Sequence, residues 1–340
     1  MVGIVKDDIF LEHRPDGSHP ENPKRLESIL RILPEVDKEG VRYIEAKDAT
    51  KSEISYIHDP SYVEFVASTK GSTRRLDPDT YVSPMSYDAA IRAVGGVIAL
   101  CDAIMEGKVE CGFALVRPPG HHAERARAMG FCLFNNVAIG ARHLQKKYGL
   151  KRIAIIDFDL HHGNGTQHSF YREKEILYFS THQYPYYPGT GWLDEIGEAE
   201  GRGYTVNVPL SYGMGDGDYV FVFRDLLSIV IRQYEPEFVL VSAGFDAYHG
   251  DPLGGMYLTE KGYALMTRII KGLADELCKG RALFSLEGGY DVDGLARCVK
   301  AVIEELKRPG KVEIGTEEVS ERLLKVVDEV RKRLSPYWRF

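Results

Sequence analysis

Apolar and β-branched residues gather in short, nearly continuous runs along the chain: CGFALV (111–116), KRIAIIDFD (151–159), EILYFS (175–180), GYTVNVPL (203–210), EFVLVSAG (237–244) and RALFSLEGG (281–289). Runs of this length without polar alternation predict strands buried on both faces, as in a parallel sheet. Around them lie segments with apolar residues at helical spacing: SPMSYDAAIRAVGGVIALCDAIMEG (83–107), FNNVAIGARHLQKKYG (134–149), DYVFVFRDLLSIVIRQY (218–234) and TEKGYALMTRIIKGLADEL (259–277). The alternation predicts βαβ units, and hence an α/β fold whose parallel sheet carries helices on both faces. An amphipathic stretch, TEEVSERLLKVVDEVRKRL (316–334), reads as a helix packed on the same body. No repeat, low-complexity linker or break in composition divides the 340 residues, so one domain over 1–340 is expected.

Composition narrows the function by exclusion. Net charge is −7 with no run of like charges, which argues against capture of a nucleic-acid backbone. The opening MVGIVKDDIF lacks a basic segment followed by an apolar one, and no stretch reaches about 18 uninterrupted apolar residues; no membrane association and a cytoplasmic location are expected. The five cysteines form no CxxC pair, which fits reduced, buried thiols better than a disulfide framework or a thiolate metal site.

In open parallel sheets the ligand site lies beyond the carboxyl ends of the strands, and the chemically unusual residues sit there. RPPGHH follows FALV, DLHHGNGT follows IAIIDF, GFDAYHGDPLG follows VLVSA, and EGGY follows LFSL. Asp157, Asp159 and His161 alternate at the end of one run, so a period of two would aim them to the same side. Asp159 and His161 with Asp246 make two carboxylates and an imidazole without a thiolate, the donor set of an open catalytic metal site. Taken singly, Asp159 also reads as a helix N-cap and His161 as a satisfied polar core residue.

Pro118, Pro119 and Gly120 make a stiff turn that presents His121 and His122 together. A carboxylate, Asp157, suits one imidazole as partner; Asn164 suits the other without raising its basicity as much. Tyr290 follows Gly288 and Gly289, where backbone can approach a ligand closely and a phenol can donate to a developing oxyanion; a packed aromatic is the plain alternative. Phe131 and Tyr187 read equally as core residues or as walls of a narrow apolar channel.

Together RPPGHHA (117–123), GFCLFNN (130–136), DFDLHHGNGTQ (157–167), YPGTG (187–191), SAGFDAYHGDPLG (242–254) and LEGGY (286–290) resemble the zinc-dependent histone deacetylase superfamily, which includes acetylpolyamine amidohydrolases and acetoin-utilisation proteins. With HPENPKRL (19–26) and LDPDTYVSP (76–84) the resemblance runs from about residue 3 to about residue 305. It implies the arginase/deacetylase fold with an eight-stranded central parallel sheet. It implies one Zn2+ on Asp159, His161 and Asp246, His122 as general base and acid, and His121, paired with Asp157, as its electrostatic companion. Tyr290 would stabilise the oxyanion, and Phe131 and Tyr187 would flank the acyl-lysine channel, with Gly130, Leu253, Gly288 and Gly289 beside them. A structural K+ would involve Asp157, Asp159, His161, Ser180 and Thr181. Asn164 stands where class I members carry Asp, which places the resemblance in the class II and prokaryotic branch. Asp79 best matches the rim carboxylate that grips substrate backbone, with Asp77 as the other candidate. Leu253 stands where polyamine-selective eukaryotic members have Glu.

The implied activity is hydrolysis of an acyl amide, with an acetyl-lysine peptide or protein as the expected substrate and an acetylpolyamine or small acetylated metabolite as the alternative. A two-manganese ureohydrolase would need bridging carboxylates where this chain has Gly163 and Tyr248. A non-catalytic acyl-lysine binding module would keep the pocket without needing His122 or Tyr290.

Overall fold

The computed structural model describes residues 1–36, 39–308 and 318–340. Its strands are β1 (Val2–Val5), β2 (Val41–Tyr43), β3 (Arg74–Arg75), β4 (Tyr81–Val82), β5 (Cys111–Ala114), β6 (Ile153–Asp157), β7 (Ile176–Gln183), β8 (Thr205–Leu210), β9 (Phe238–Ala243) and β10 (Ala282–Leu286). Eight of them form one sheet in the order β2-β1-β5-β10-β9-β6-β7-β8, while β3 and β4 pair as a separate antiparallel hairpin. Every pairing within the large sheet is parallel. The six apolar runs become β5 to β10, and every residue of those strands is buried, which requires cover on both faces.

The expected helices form as Ser86–Met105, Asn136–Tyr148, Asp216–Tyr234 and Glu260–Cys278. The third holds a π-helical turn, Phe223–Leu227, where the Ser228 hydroxyl donates to the Phe223 carbonyl at 2.9 Å. Helices Lys24–Val36, Pro60–Ala67, Asn164–Phe170 and Val292–Leu306 were not read from the pattern. The C-terminal helix spans Glu321–Leu334, shorter than the 316–334 expected; Ser320 caps it, and residues 316–317 lie outside the described residues. It buries Leu323, Val327, Val330 and Leu334 against the β8 side of the sheet, and Trp338 beyond it donates to the Gly203 carbonyl at 2.8 Å. All five cysteines are free and buried. No helix among the described residues is long and apolar enough to cross a membrane.

Strands β5, β10, β9 and β6 are consecutive in the sheet and point the same way. The four polar loops that follow them therefore emerge side by side at one edge, which converts four separate stretches of sequence into one site.

Candidate active site

The loop after β5 is fixed from behind before it presents any chemistry. The buried Arg117 guanidinium donates to the Glu21 carboxylate at 2.5 and 2.7 Å and to the Phe10 and His13 carbonyls at 2.6 and 2.8 Å. The main-chain N–H groups of Gly120 and His121 donate to the buried Glu287 carboxylate at 2.6 and 3.2 Å. His121 and His122 then stand with ring centroids 4.0 Å apart.

Each imidazole has a different partner. His121 Nδ1 lies 3.1 Å from an Asp157 oxygen, and His122 Nδ1 lies 2.7 Å from Asn164 Oδ1. The Asn164 amide nitrogen faces three groups that only accept, Glu124 Oε1 at 2.5 Å, the His122 carbonyl at 3.3 Å and Met129 Sδ at 3.5 Å. Its oxygen is therefore the atom turned to His122, so His122 carries its proton on Nδ1 and leaves Nε2 free as a base. Burial alone would lower His121, but the carboxylates of Asp159 and then Asp157 outweigh it and raise the group to about 10. His122 is driven well below the usual histidine range by burial and by the positive neighbours His121 and His161. A charged companion beside a neutral base is the division of roles that proton transfer needs.

Asp159, His161 and Asp246 converge so that one ligand atom from each lies within 4.8 Å of the others, all three residues being buried. His161 Nδ1 is 2.9 Å from Asp246 Oδ2 and 3.3 Å from Asp159 Oδ1. Main-chain N–H groups hold the carboxylates in place: Gly288 and His161 donate to Asp159 at 2.8 and 2.9 Å, and Leu160 donates to Asp246 at 2.8 Å. Strand alternation is not what gathers them. β6 ends at Asp157, whose side chain accepts from the Asp159 N–H at 3.2 Å and faces His121, so Asp159 and His161 converge through a loop turn. Burial and then the Asp159 charge push Asp246 up to about 6, whereas the two carboxylates outweigh burial at His161 and raise it to about 10. Two carboxylates and an imidazole in a buried pocket suit a divalent cation, which takes the neutral imidazole as ligand.

A cavity of about 250 Å³ opens onto this cluster, lined by His121, His122, His161, Phe131, Tyr187 and Tyr290 together with Asp79, Gly130, Leu253 and Gly288. Tyr187 meets the His122 ring edge-on at 5.1 Å, and Phe131 meets Tyr290 edge-on at 5.8 Å. Gly130 has a positive φ of 56°, and a Cβ there would collide with the His122 ring. A Cβ on Gly288 would likewise strike the carboxylates of Asp246 and Asp159. Gly289 does not line the cavity, contrary to expectation; its carbonyl turns back to accept from Arg25 Nε at 2.6 Å. Asp79 lines the mouth, whereas Asp77 is paired with Arg127 at 3.2 Å. Burial and then Asp77 raise Asp79 to about 6.

Several residues of the site carried no role in the sequence reading. Tyr186 lines the cavity beside Tyr187 and stacks on His161 at 5.6 Å. Asp251 accepts from the Tyr290 N–H at 2.5 Å, and Arg25 holds the Gly289 and Glu287 carbonyls. The signal available for Glu21, Arg25, Arg117 and Glu287 was their presence as charges inside otherwise Pro- and Gly-rich motifs.

The fold and this constellation define a histone deacetylase domain: residues 19–306 match that family, and the chain belongs to it. It is 39% identical over 297 residues to a probable deacetylase of Archaeoglobus fulgidus, covering 86% of this chain and 82% of that one. Against histone deacetylase 15 of Arabidopsis thaliana identity is 43% over 295 residues, covering 85% of this chain and 52% of the other. Histone deacetylase HDA1 of Candida albicans is 38% identical over 349 residues, with 94% of this chain and 41% of that one covered. This chain thus spans about half the length of several curated relatives. The crystal structure of the HDA15 HD domain superposes with a TM-score of 0.92 at 38% identity, covering 99% of this chain and 97% of that one.

Proposed function

We propose that this chain is a zinc-dependent deacetylase that hydrolyses the acetyl amide of acetyl-lysine in a peptide or protein. The observation that carries the reading is the placement of His122, a half-buried Tyr290 and the Asp159–His161–Asp246 cluster around one cavity. Asp159, His161 and Asp246 would hold the zinc ion, which when bound would supply Lewis acidity and lower the pKa of a bound water. His122 Nε2 takes the proton from the attacking water and returns it to the departing amine, while the His121 charge steadies the developing negative charge. The Tyr290 hydroxyl donates to the tetrahedral oxyanion. Phe131 and Tyr187 exclude water from the channel, and Asp79 at its mouth accepts from substrate backbone.

Gly163 and Tyr248 stand where a second ion would need bridging carboxylates, which favours one metal ion over the two of a ureohydrolase. The same reading assigns a structural K+ to oxygens of Asp157, Asp159, His161, Ser180 and Thr181. Its support is the register that sets Asp157 beside Ser180 and the buried Thr181 hydroxyl, which has no hydrogen-bond partner among the described residues. Leu253 at the mouth offers no acid to a cationic tail, which favours peptides over polyamines. The test measures zinc per chain and acetate released from an acetyl-lysine peptide, acetylputrescine and acetylspermidine. One zinc and preferential peptide turnover are expected. A large excess of polyamine turnover would overturn the substrate, and absence of both zinc and acetate release would overturn the activity.

A further inference from the structure

We propose that Glu124 is a positioning residue for the base: it holds the Asn164 side chain in the one amide orientation that keeps His122 in its Nδ1-protonated tautomer. The kinetic consequence rests on the deacetylase reading; the structural one does not. Glu124 lies two residues beyond His122, in a small turn where its N–H donates to the Arg127 carbonyl at 2.9 Å. Asn164 and His168 are one turn apart on the helix Asn164–Phe170, so both side chains reach the same carboxylate. A single oxygen, Oε1, lies 2.5 Å from Asn164 Nδ2 and 2.8 Å from His168 Nδ1. His168 is half exposed and is the outermost of the four groups, which run His122, Asn164, Glu124, His168 from the cavity outwards.

The argument turns on what each atom can do. A carboxylate oxygen only accepts, so the Asn164 atom beside it must be the NH2. Reversing that amide would set two acceptor oxygens against each other at hydrogen-bond distance. It would also aim the NH2 at His122 Nδ1 and move the ring proton to Nε2, removing the lone pair that the reaction uses. The His122 carbonyl at 3.3 Å and the Met129 sulfur at 3.5 Å enforce the same orientation more weakly. An asparagine offers two orientations of nearly equal shape, and Glu124, the nearest and only charged acceptor of its NH2, supplies most of the difference between them. An aspartate at 164 would accept with either oxygen and have no amide to orient.

The test uses the zinc-loaded full chain. Glu124→Leu should lower kcat roughly tenfold with KM unchanged, in the range for partners that orient a site from behind. Glu124→Gln, whose carbonyl oxygen still accepts, should stay within about threefold of the parent. Glu124→Ala is read in parallel, so that a folding defect in one variant does not decide the outcome. In an Asn164→Asp background Glu124→Leu should cost nothing further, or raise kcat by separating two carboxylates. Equal losses in both backgrounds, or parental kcat in Glu124→Leu, would overturn the proposal. A second readout needs no substrate: long-range 1H–15N spectra of histidine-labelled protein should show an Nδ1–H tautomer signal that disappears in His122→Ala. That signal should become mixed or reversed in Glu124→Leu, and its persistence there overturns the proposal whatever the activity proves to be.

Discussion

Replacing Tyr290 by Phe removes one hydroxyl and leaves the rest of the site in place. Packing, not the hydroxyl, holds the ring: Phe131 meets it edge-on at 5.8 Å, the Arg25 guanidinium lies 4.9 Å from its centroid, and its main-chain N–H is bound by Asp251 at 2.5 Å. The hydroxyl has no hydrogen-bond partner among the described residues, so the folded ground state loses no bond. Stability should then change by no more than about 0.5 kcal/mol. At roughly 2.1 cal/mol/K of unfolding entropy per residue, this moves the Tm of the 340-residue chain by under about 1 °C. Under the proposed mechanism the oxyanion, by contrast, loses a donor it uses only in the transition state. A single such donor is worth roughly 10²–10³ in kcat, or about 2.7–4 kcal/mol. Zinc content, Tm, kcat and KM measured on one preparation separate the two effects. Unchanged kcat would remove Tyr290 from the mechanism and reopen the reading of a non-catalytic acyl-lysine binder. A Tm lower by several degrees, with the folded fraction fully active, would make the residue structural.

Asp246→Asn keeps an oxygen for the Leu160 N–H, which donates to Asp246 at 2.8 Å, but removes a charge from the proposed ligand set. It should purify folded, metal-poor and inactive; one zinc per chain by mass spectrometry would refute the ligand set. His122→Ala should retain zinc and lose roughly 10²–10⁴ in kcat, and near-parental turnover would show that another group moves the proton. Glu21→Gln leaves the buried guanidiniums of Arg25 and Arg117, bound at 3.1 and 2.5 Å, without their carboxylate. The cost should be about 3–5 kcal/mol, a fall of about 4–7 °C in Tm, and no change in Tm would refute the pairing. Burial opposes the Glu21 charge, but Arg117 and His13 outweigh it and hold the carboxyl well below its usual range. Its contribution is therefore full above an unfolded value of about 4.3 and is lost as pH falls towards the folded one, so the variant should be less acid-sensitive than its parent.

The parallel sheet was legible because β5 to β10 are buried on both faces and so appear in sequence as continuous apolar runs. β2 is a three-residue edge strand that is partly exposed, so it does not stand out from its surroundings. Helix Lys24–Val36 was obscured by prolines before it and by Pro34 within it. The cavity residues were legible for a different reason: histidines, aspartates and a tyrosine crowded at strand ends signal chemistry by their type. Residues that hold the site from behind give no such signal. Arg117 and Glu21 are 96 positions apart, and Arg25 reaches the Glu287 carbonyl across 262, so the motifs that hold these charges do not show which of them pair. Yet they decide where the reacting atoms lie. Arg117 anchors the start of the histidine loop, Glu287 binds its turn at Gly120 and His121, and Arg25 holds the carbonyls on either side of Gly288. Gly288 in turn donates to the Asp159 carboxylate at 2.8 Å, so His122, Tyr290 and Asp159 hang on a single buried polar framework. Each of those charges is costly to bury alone and tolerable only when paired. A framework of this kind has few alternative arrangements, and that restriction is what places the reacting groups.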